Sequence, residues 1–168
     1  MSDVRPLLVV DGYNLLHADP AYVAAADIDI DEARRRLVDD VAVFAQGRYV
    51  AIVVFDGGGV APHMPAWVSI EWSGRGEADT IVEALAFAAR TEGRPCVVVT
   101  TDRATRDVVF GRGVDVVSSQ TMLEHLAYSD AETREEAGRP RRVTLADRID
   151  PSTRATLERW AREGRPSD

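Results

Sequence analysis

Asp11, Asp56 and Asp102 each follow a run of apolar, largely β-branched residues: LLVV, AIVVF and VVVTT respectively. A fourth carboxylate, Asp79, lies at the start of the helical pattern GEADTIVEAL. A lone aspartate after a strand ordinarily forms a turn or caps a helix. Asp102 in TTDRAT and Asp56 before Gly57, Gly58 and Gly59 suit that role on their own. Their coincidence is what points to chemistry. In an open α/β sheet the carboxyl ends of the strands face one ligand-binding edge. Like charges gathered there repel unless a cation neutralises them. Carboxylates without basic partners favour hard ions that take oxygen ligands, Mg²⁺ or Mn²⁺. Such an ion polarises a phosphodiester and lowers the pKa of a bound water, so the chemistry expected is metal-assisted phosphodiester hydrolysis.

The elements that would position these acids can be read from periodicity. Strands are expected at Leu7–Val10, Tyr49–Phe55, Cys96–Thr100 and Val114–Val117, with Val68–Trp72 a fifth, shorter one at an edge. Helical stripes run over Asp31–Ala45 and Glu77–Arg90, with shorter helices at Thr105–Phe110 and Gln120–Tyr128. A closing helix, Thr153–Arg162, carries Leu157 and Trp160. Continuous apolar strands alternating with helices predict an α/β domain of three layers, a central, mainly parallel sheet flanked by helices. One domain is expected over residues 1–168, with its core at about 6–128 and the polar stretch 129–142 an exposed connection. At 100° per residue, Asp79 falls on the flank of the Ala78, Ile81, Val82, Leu85 and Ala89 stripe, and Glu83 lies further toward solvent. The fourth main strand ends in Ser118-Ser119 rather than an acid.

Other chemistries find little footing. SGRGEADT lacks the P-loop order, and FDGGGV is not a dinucleotide fingerprint. His17, His63 and His125 are scattered without zinc spacing. The serines have no nucleophile-elbow setting. A phosphohydrolase of the haloacid-dehalogenase type needs a second aspartate two positions after the first, where Tyr13 stands, and a lysine. All 20 basic residues are arginine. Cys96 is the only cysteine, which excludes an internal disulfide and a cysteine-based metal cluster.

The segments VVDGYNLL, VVFDG, EADTIVEAL and VVVTTDRATRD, in this order, resemble the NYN branch of the PIN-like ribonucleases, and within it the bacterial YacP-like subgroup. The likeness covers roughly residues 6–128, and the tail DRIDPSTRATLERW is also similar. It implies a PIN-like (Rossmannoid) fold and a metal-dependent endoribonuclease using Mg²⁺ or Mn²⁺. Residue by residue, Asp11 matches the first-strand aspartate, Asn14 the asparagine after it, Asp79 the helix aspartate and Asp102 the later strand-end aspartate. A further acid common three residues before the helix aspartate is replaced by Gly76, and the nearest acid is Glu77. The resemblance also implies mRNA cleavage at a translating ribosome. A non-catalytic RNA- or ribosome-binding module of the same fold is the alternative.

Catalysis would therefore rest on Asp11, Asn14, Asp79 and Asp102, with Asp56 a secondary metal ligand. Cations for RNA are sought at Arg75, Arg103 and Arg106 near the acids, and at Arg139, Arg141 and Arg142. Tyr13 and Trp72 are aromatic groups on which bases could stack. The formal net charge of −8 disfavours simple electrostatic nucleic-acid binding, but bound cations reverse the sign of an acidic site. No apolar run reaches the roughly 20 residues of a membrane span, and the apolar stretch before Asp11 is too short for a signal-peptide core. A cytoplasmic location is expected.

Overall fold

The five residues of β1 (Leu7–Asp11) are all buried, because this strand forms the middle of the sheet. The computed structural model describes residues 5–138. Its other strands are β2 (Val50–Phe55), β3 (Val68–Trp72), β4 (Cys96–Val99) and β5 (Val114–Val117). They lie in the order β3-β2-β1-β4-β5, and every pairing is parallel. Three helices, α1 (Gly12–Ala18), α2 (Pro20–Ile28) and α3 (Ile30–Ala45), connect β1 to β2. The remaining helices are α4 (Ala78–Thr91), α5 (Arg103–Val109) and α6 (Ser119–Gly138).

Alternation along β1 divides its side chains between two cores. Leu8 and Val10 join one with Leu15, Leu37, Val41 and Met122, from α1, α3 and α6. Leu7 and Val9 join the other with Val82, Ala86 and Val109, from α4 and α5. Asp11 has the parity of Leu7 and Val9, which directs it to the α4 side. The expected three-layer arrangement is therefore present, with an entirely parallel sheet and Val68–Trp72 at its edge.

Two stretches differ from expectation. α2 has no counterpart among the expected elements: Pro20 opens it and Asp19 caps it, accepting from the Ala21 N–H at 2.6 Å, yet its alanine-rich residues show little apolar periodicity. Residues 129–138 are the second half of α6 rather than an exposed connection. Beyond Ser129 and Asp130 this half is exposed and carries no buried apolar stripe. The chain divides into two compact units, residues 1–132 and 133–168, and only 133–138 of the second are described. Arg139, Arg141, Arg142 and the expected helix Thr153–Arg162 lie outside the described residues.

Gly12 is needed where β1 turns into α1. A Cβ there would overlap the ring of Phe55, which is itself fully buried. Gly12→Ala should lower stability by about 1–3 kcal/mol, the usual cost of overpacking, seen as a lower denaturant midpoint. An unchanged midpoint would mean that the contact is not tight.

Candidate active site

Each strand-end aspartate does structural work as a helix cap. Asp11 caps α1, its Oδ1 accepting from the Asn14 N–H at 3.2 Å. Asp102 caps α5, accepting from the Thr105 N–H at 2.7 Å. Asp56 caps a helix that is distant in sequence. The N-cap residue of α4, Glu77, makes no side-chain capping bond. Asp56 Oδ1 instead accepts from the Ala78 N–H at 2.7 Å and from the Ser73 hydroxyl at 3.2 Å. It thereby ties the start of α4, and Asp79 one residue later, to the end of β2. For Asp11 and Asp56 these bonds use Oδ1 alone, so the second oxygen of each carboxylate takes no part in capping.

The strand order decides which acids share a crevice. β1 leads by way of α1–α3 to β2 on one side, whereas β4 lies on its other side. The switch point, where ligands bind in such sheets, is thus between β1 and β4. Asp11 ends β1, and Asp102 follows β4. Asp79, half-buried in the first turn of α4, belongs to the helix layer on Asp11's side of the sheet.

Electrostatics link the four acids. Asp11 is 8% exposed, and its pKa is raised from 3.8 to about 6. Burial is the main cause; the Asn14 N–H opposes it, and the charges of Asp79, Asp56 and Asp102 add to it. The Asp102 carboxyl is held below its usual range, chiefly by the Thr105 N–H. Among the described residues no ion pair involves these aspartates; the described pairs lie on α3.

Asn14 joins the two sides of the switch point. Its Oδ1 accepts from the Thr101 N–H at 2.9 Å and from the Ser119 hydroxyl at 2.5 Å. Ser119 is fully buried, and its own N–H donates to the Thr101 hydroxyl at 3.2 Å. The loop after β4 and the start of α6 are therefore latched to α1. With Oδ1 committed to two donors, the Asn14 amide NH₂ is the group left for a ligand. Ser119 is a residue that sequence reasoning passed over. It follows β5 as the aspartates follow their strands, and the same rule of strand ends would have selected it.

The donor set, all carboxylate oxygen with three like charges acting on Asp11, fits a hard divalent cation. Among the described residues no three His, Cys, Asp or Glu are already gathered as an ion-holding group. The acids share an edge without being drawn together. Glu77 is exposed at the helix cap, and Glu83 is half-buried rather than turned to solvent. Arg103 and Arg106 are exposed and line a cavity of about 430 Å³ with Phe110. Arg75 is exposed in the turn before α4. No helix of the described residues is long and apolar enough to cross a membrane.

Comparison with known proteins agrees with this fold. The family model of the YacP-like NYN domain matches residues 8–162. The crystal structure of Rae1 (YacP) from Bacillus subtilis superposes with a TM-score of 0.68 at 26% identity, covering 94% of this chain and 95% of that one. A tryptophan-to-leucine mutant of the same Bacillus subtilis protein gives a TM-score of 0.67 at 24% identity, covering 91% and 98%. None of the curated proteins searched matches the chain.

Proposed function

We propose that this chain, which belongs to the YacP-like NYN domain family, is a metal-dependent endoribonuclease. The observation that carries the reading is Asp11: a buried carboxylate at the switch point, with three like charges acting on it and no basic partner among the described residues. Asp11, Asp79 and Asp102 would hold Mg²⁺ or Mn²⁺, which supplies Lewis acidity toward a phosphate and an acidified water.

The chain's own residues do the rest. The Asn14 amide donates to the phosphate or orients a ligand carboxylate, while its oxygen keeps the latch to Thr101 and Ser119. Asp56 supports the site by holding α4, and thus Asp79, in place. Arg103, Arg106 and Arg75 offer bidentate contacts to the RNA backbone. A cytoplasmic setting, with RNA and the translating ribosome as partners, goes with this reading. A non-catalytic RNA-binding module is the second reading, favoured by the dispersed state of the acids.

Mn²⁺ titration of the whole chain separates the two. Wild type should bind Mn²⁺ and cleave single-stranded RNA in its presence. Asp79→Asn should weaken Mn²⁺ binding by roughly tenfold or more, as expected when a charged ligand to a divalent ion is neutralised. RNA binding without cleavage under any divalent ion would overturn the nuclease reading and favour the second.

A further inference from the structure

On the α3 side of the sheet, next to the acidic edge, lies a cavity of about 280 Å³ that phosphodiester hydrolysis does not require. Trp72 and Ile70 of β3, Val60 and Pro62 of the β2–β3 connection, and Arg34 and Asp31 of α3 are among its lining residues. Arg34 is the unusual member. Its guanidinium carbon lies 5.2 Å from the Trp72 ring centre, 5.3 Å from that of Tyr13 and 5.8 Å from that of Phe55. One terminal nitrogen donates to Asp31 at 2.7 Å and the other to the Tyr13 hydroxyl. The side chain is 15% exposed, and its Nε is buried with no acceptor among the described residues. A planar cation held so firmly is pre-organised for a planar acceptor.

We propose that this cavity receives one unpaired nucleobase of the RNA, guanine before uracil, flanking the phosphate at the acidic edge; this rests on the nuclease reading above. Unpaired bases are recognised by stacking on aromatic rings and guanidinium planes together with hydrogen bonds to their edges. Trp72 and Arg34 supply both kinds of plane. Each terminal nitrogen of Arg34 has a second N–H besides the one given to Asp31 or Tyr13, and these can donate to a ring carbonyl. The oxygens of Asp31 and Asp29 that make no other described bond can accept from an exocyclic amino group. Guanine carries both a carbonyl and an amino group, and uracil lacks the latter. The volume is close to the lower end of small-ligand sites, about 300 Å³, which suits one ring system. The register also agrees. Asp11 pairs with Val54, and Trp72 pairs with the next residue, Phe55. Both strands end at the same edge of the sheet with their backbones two spacings, about 10 Å, apart, so an RNA strand passing over that edge can present a phosphate to Asp11 on the α4 side and a neighbouring base to Trp72 on the α3 side.

The test uses the full chain in EDTA, with guanosine 5′-monophosphate and uridine 5′-monophosphate as probes and the Trp72 indole N–H followed by NMR. The guanine nucleotide should shift this signal and bind more tightly than the uridine nucleotide. Trp72→Leu should weaken binding by roughly tenfold, in line with the loss of one stacked base. Arg34→Lys keeps the charge but loses the guanidinium plane and its terminal donors, and should remove the guanine preference even if the tryptophan variant folds poorly. Nucleotides that leave the indole unmoved, or that bind both variants as well as wild type, would overturn the proposal. Because no metal is present, that failure is distinct from an absence of RNA cleavage. Guanine-selective binding in a chain that cleaves nothing would leave the base site standing and remove the nuclease reading.

Discussion

Asp11→Asn should reduce Mn²⁺- or Mg²⁺-dependent RNA cleavage at least a hundredfold and, without metal, make the protein more stable above pH 6. The first effect follows because metal-supplied stabilisation of a phosphoryl transition state is worth several kcal/mol, and each 1.36 kcal/mol is tenfold in rate. The second follows from linkage. The Asp11 pKa rises from 3.8 to about 6 on folding, so the folded state favours the protonated acid. Below about pH 4 the carboxyl is protonated in both states and carries no penalty. Between pH 4 and 6 the unfolded chain releases the proton while the folded one retains it, so stability falls as pH rises. Above pH 6 the full penalty remains, up to about 3 kcal/mol at 1.36 kcal/mol per unit.

Asparagine removes this charge and still caps a helix. Melting curves in EDTA should therefore coincide near pH 4 and separate by several degrees at pH 7, the variant melting higher. Mn²⁺ should raise the wild-type melting temperature and leave that of the variant almost unmoved. Parallel pH profiles would remove the electrostatic account of the site. Undiminished cleavage would remove Asp11 from it.

Asn14→Ala is expected to have the next largest effect, and it acts through positioning. The substitution leaves the Thr101 N–H and the Ser119 hydroxyl without their acceptor, and Ser119 has no access to water. Stranding a buried donor costs about 1–3 kcal/mol, so the denaturant midpoint should fall accordingly. RNA cleavage should fall with it, because the loop preceding Asp102 loses its tie to α1. Ser119→Ala removes the stranded hydroxyl as well. In the double variant the two costs should therefore fail to add, by about 1 kcal/mol. Strict additivity would show that the latch does not operate. Asn14→Asp offers a further check: it retains an acceptor for both donors but places another negative charge beside Asp11. It should preserve stability better than alanine does and push the Asp11 titration to higher pH.

The helices show where sequence reading works and where it stops. α3 and α4 were legible because Ala33, Leu37 and Val41 in one, and Ala78 and Val82 in the other, repeat at helical spacing and become buried. α2 and the latter half of α6 carry no such stripe, so periodicity had nothing to register there. Asp56 teaches a related lesson. Before Gly57 it reads as a turn former or a spare ligand, yet its oxygen caps a helix that begins at Ala78. That partner is 22 residues away, and no local pattern announces it.

Asp11 itself was visible from the start, since an acid interrupting a buried apolar run must answer to something beyond packing. Chemical type and phase along the chain mark Asp11, Asp79 and Asp102 as candidates, because both are local properties: strand ends come from apolar runs and helix flanks from periodicity. Which acids share a crevice is not local. It depends on β4 pairing with β1 on the side away from β2, and only the folded sheet order sets that. The same order brings the Ser119 hydroxyl and the Thr101 N–H to one oxygen of Asn14 and surrounds Arg34 with three aromatic rings. These contacts join residues up to 105 positions apart, where spacing in the sequence carries no information about distance in space.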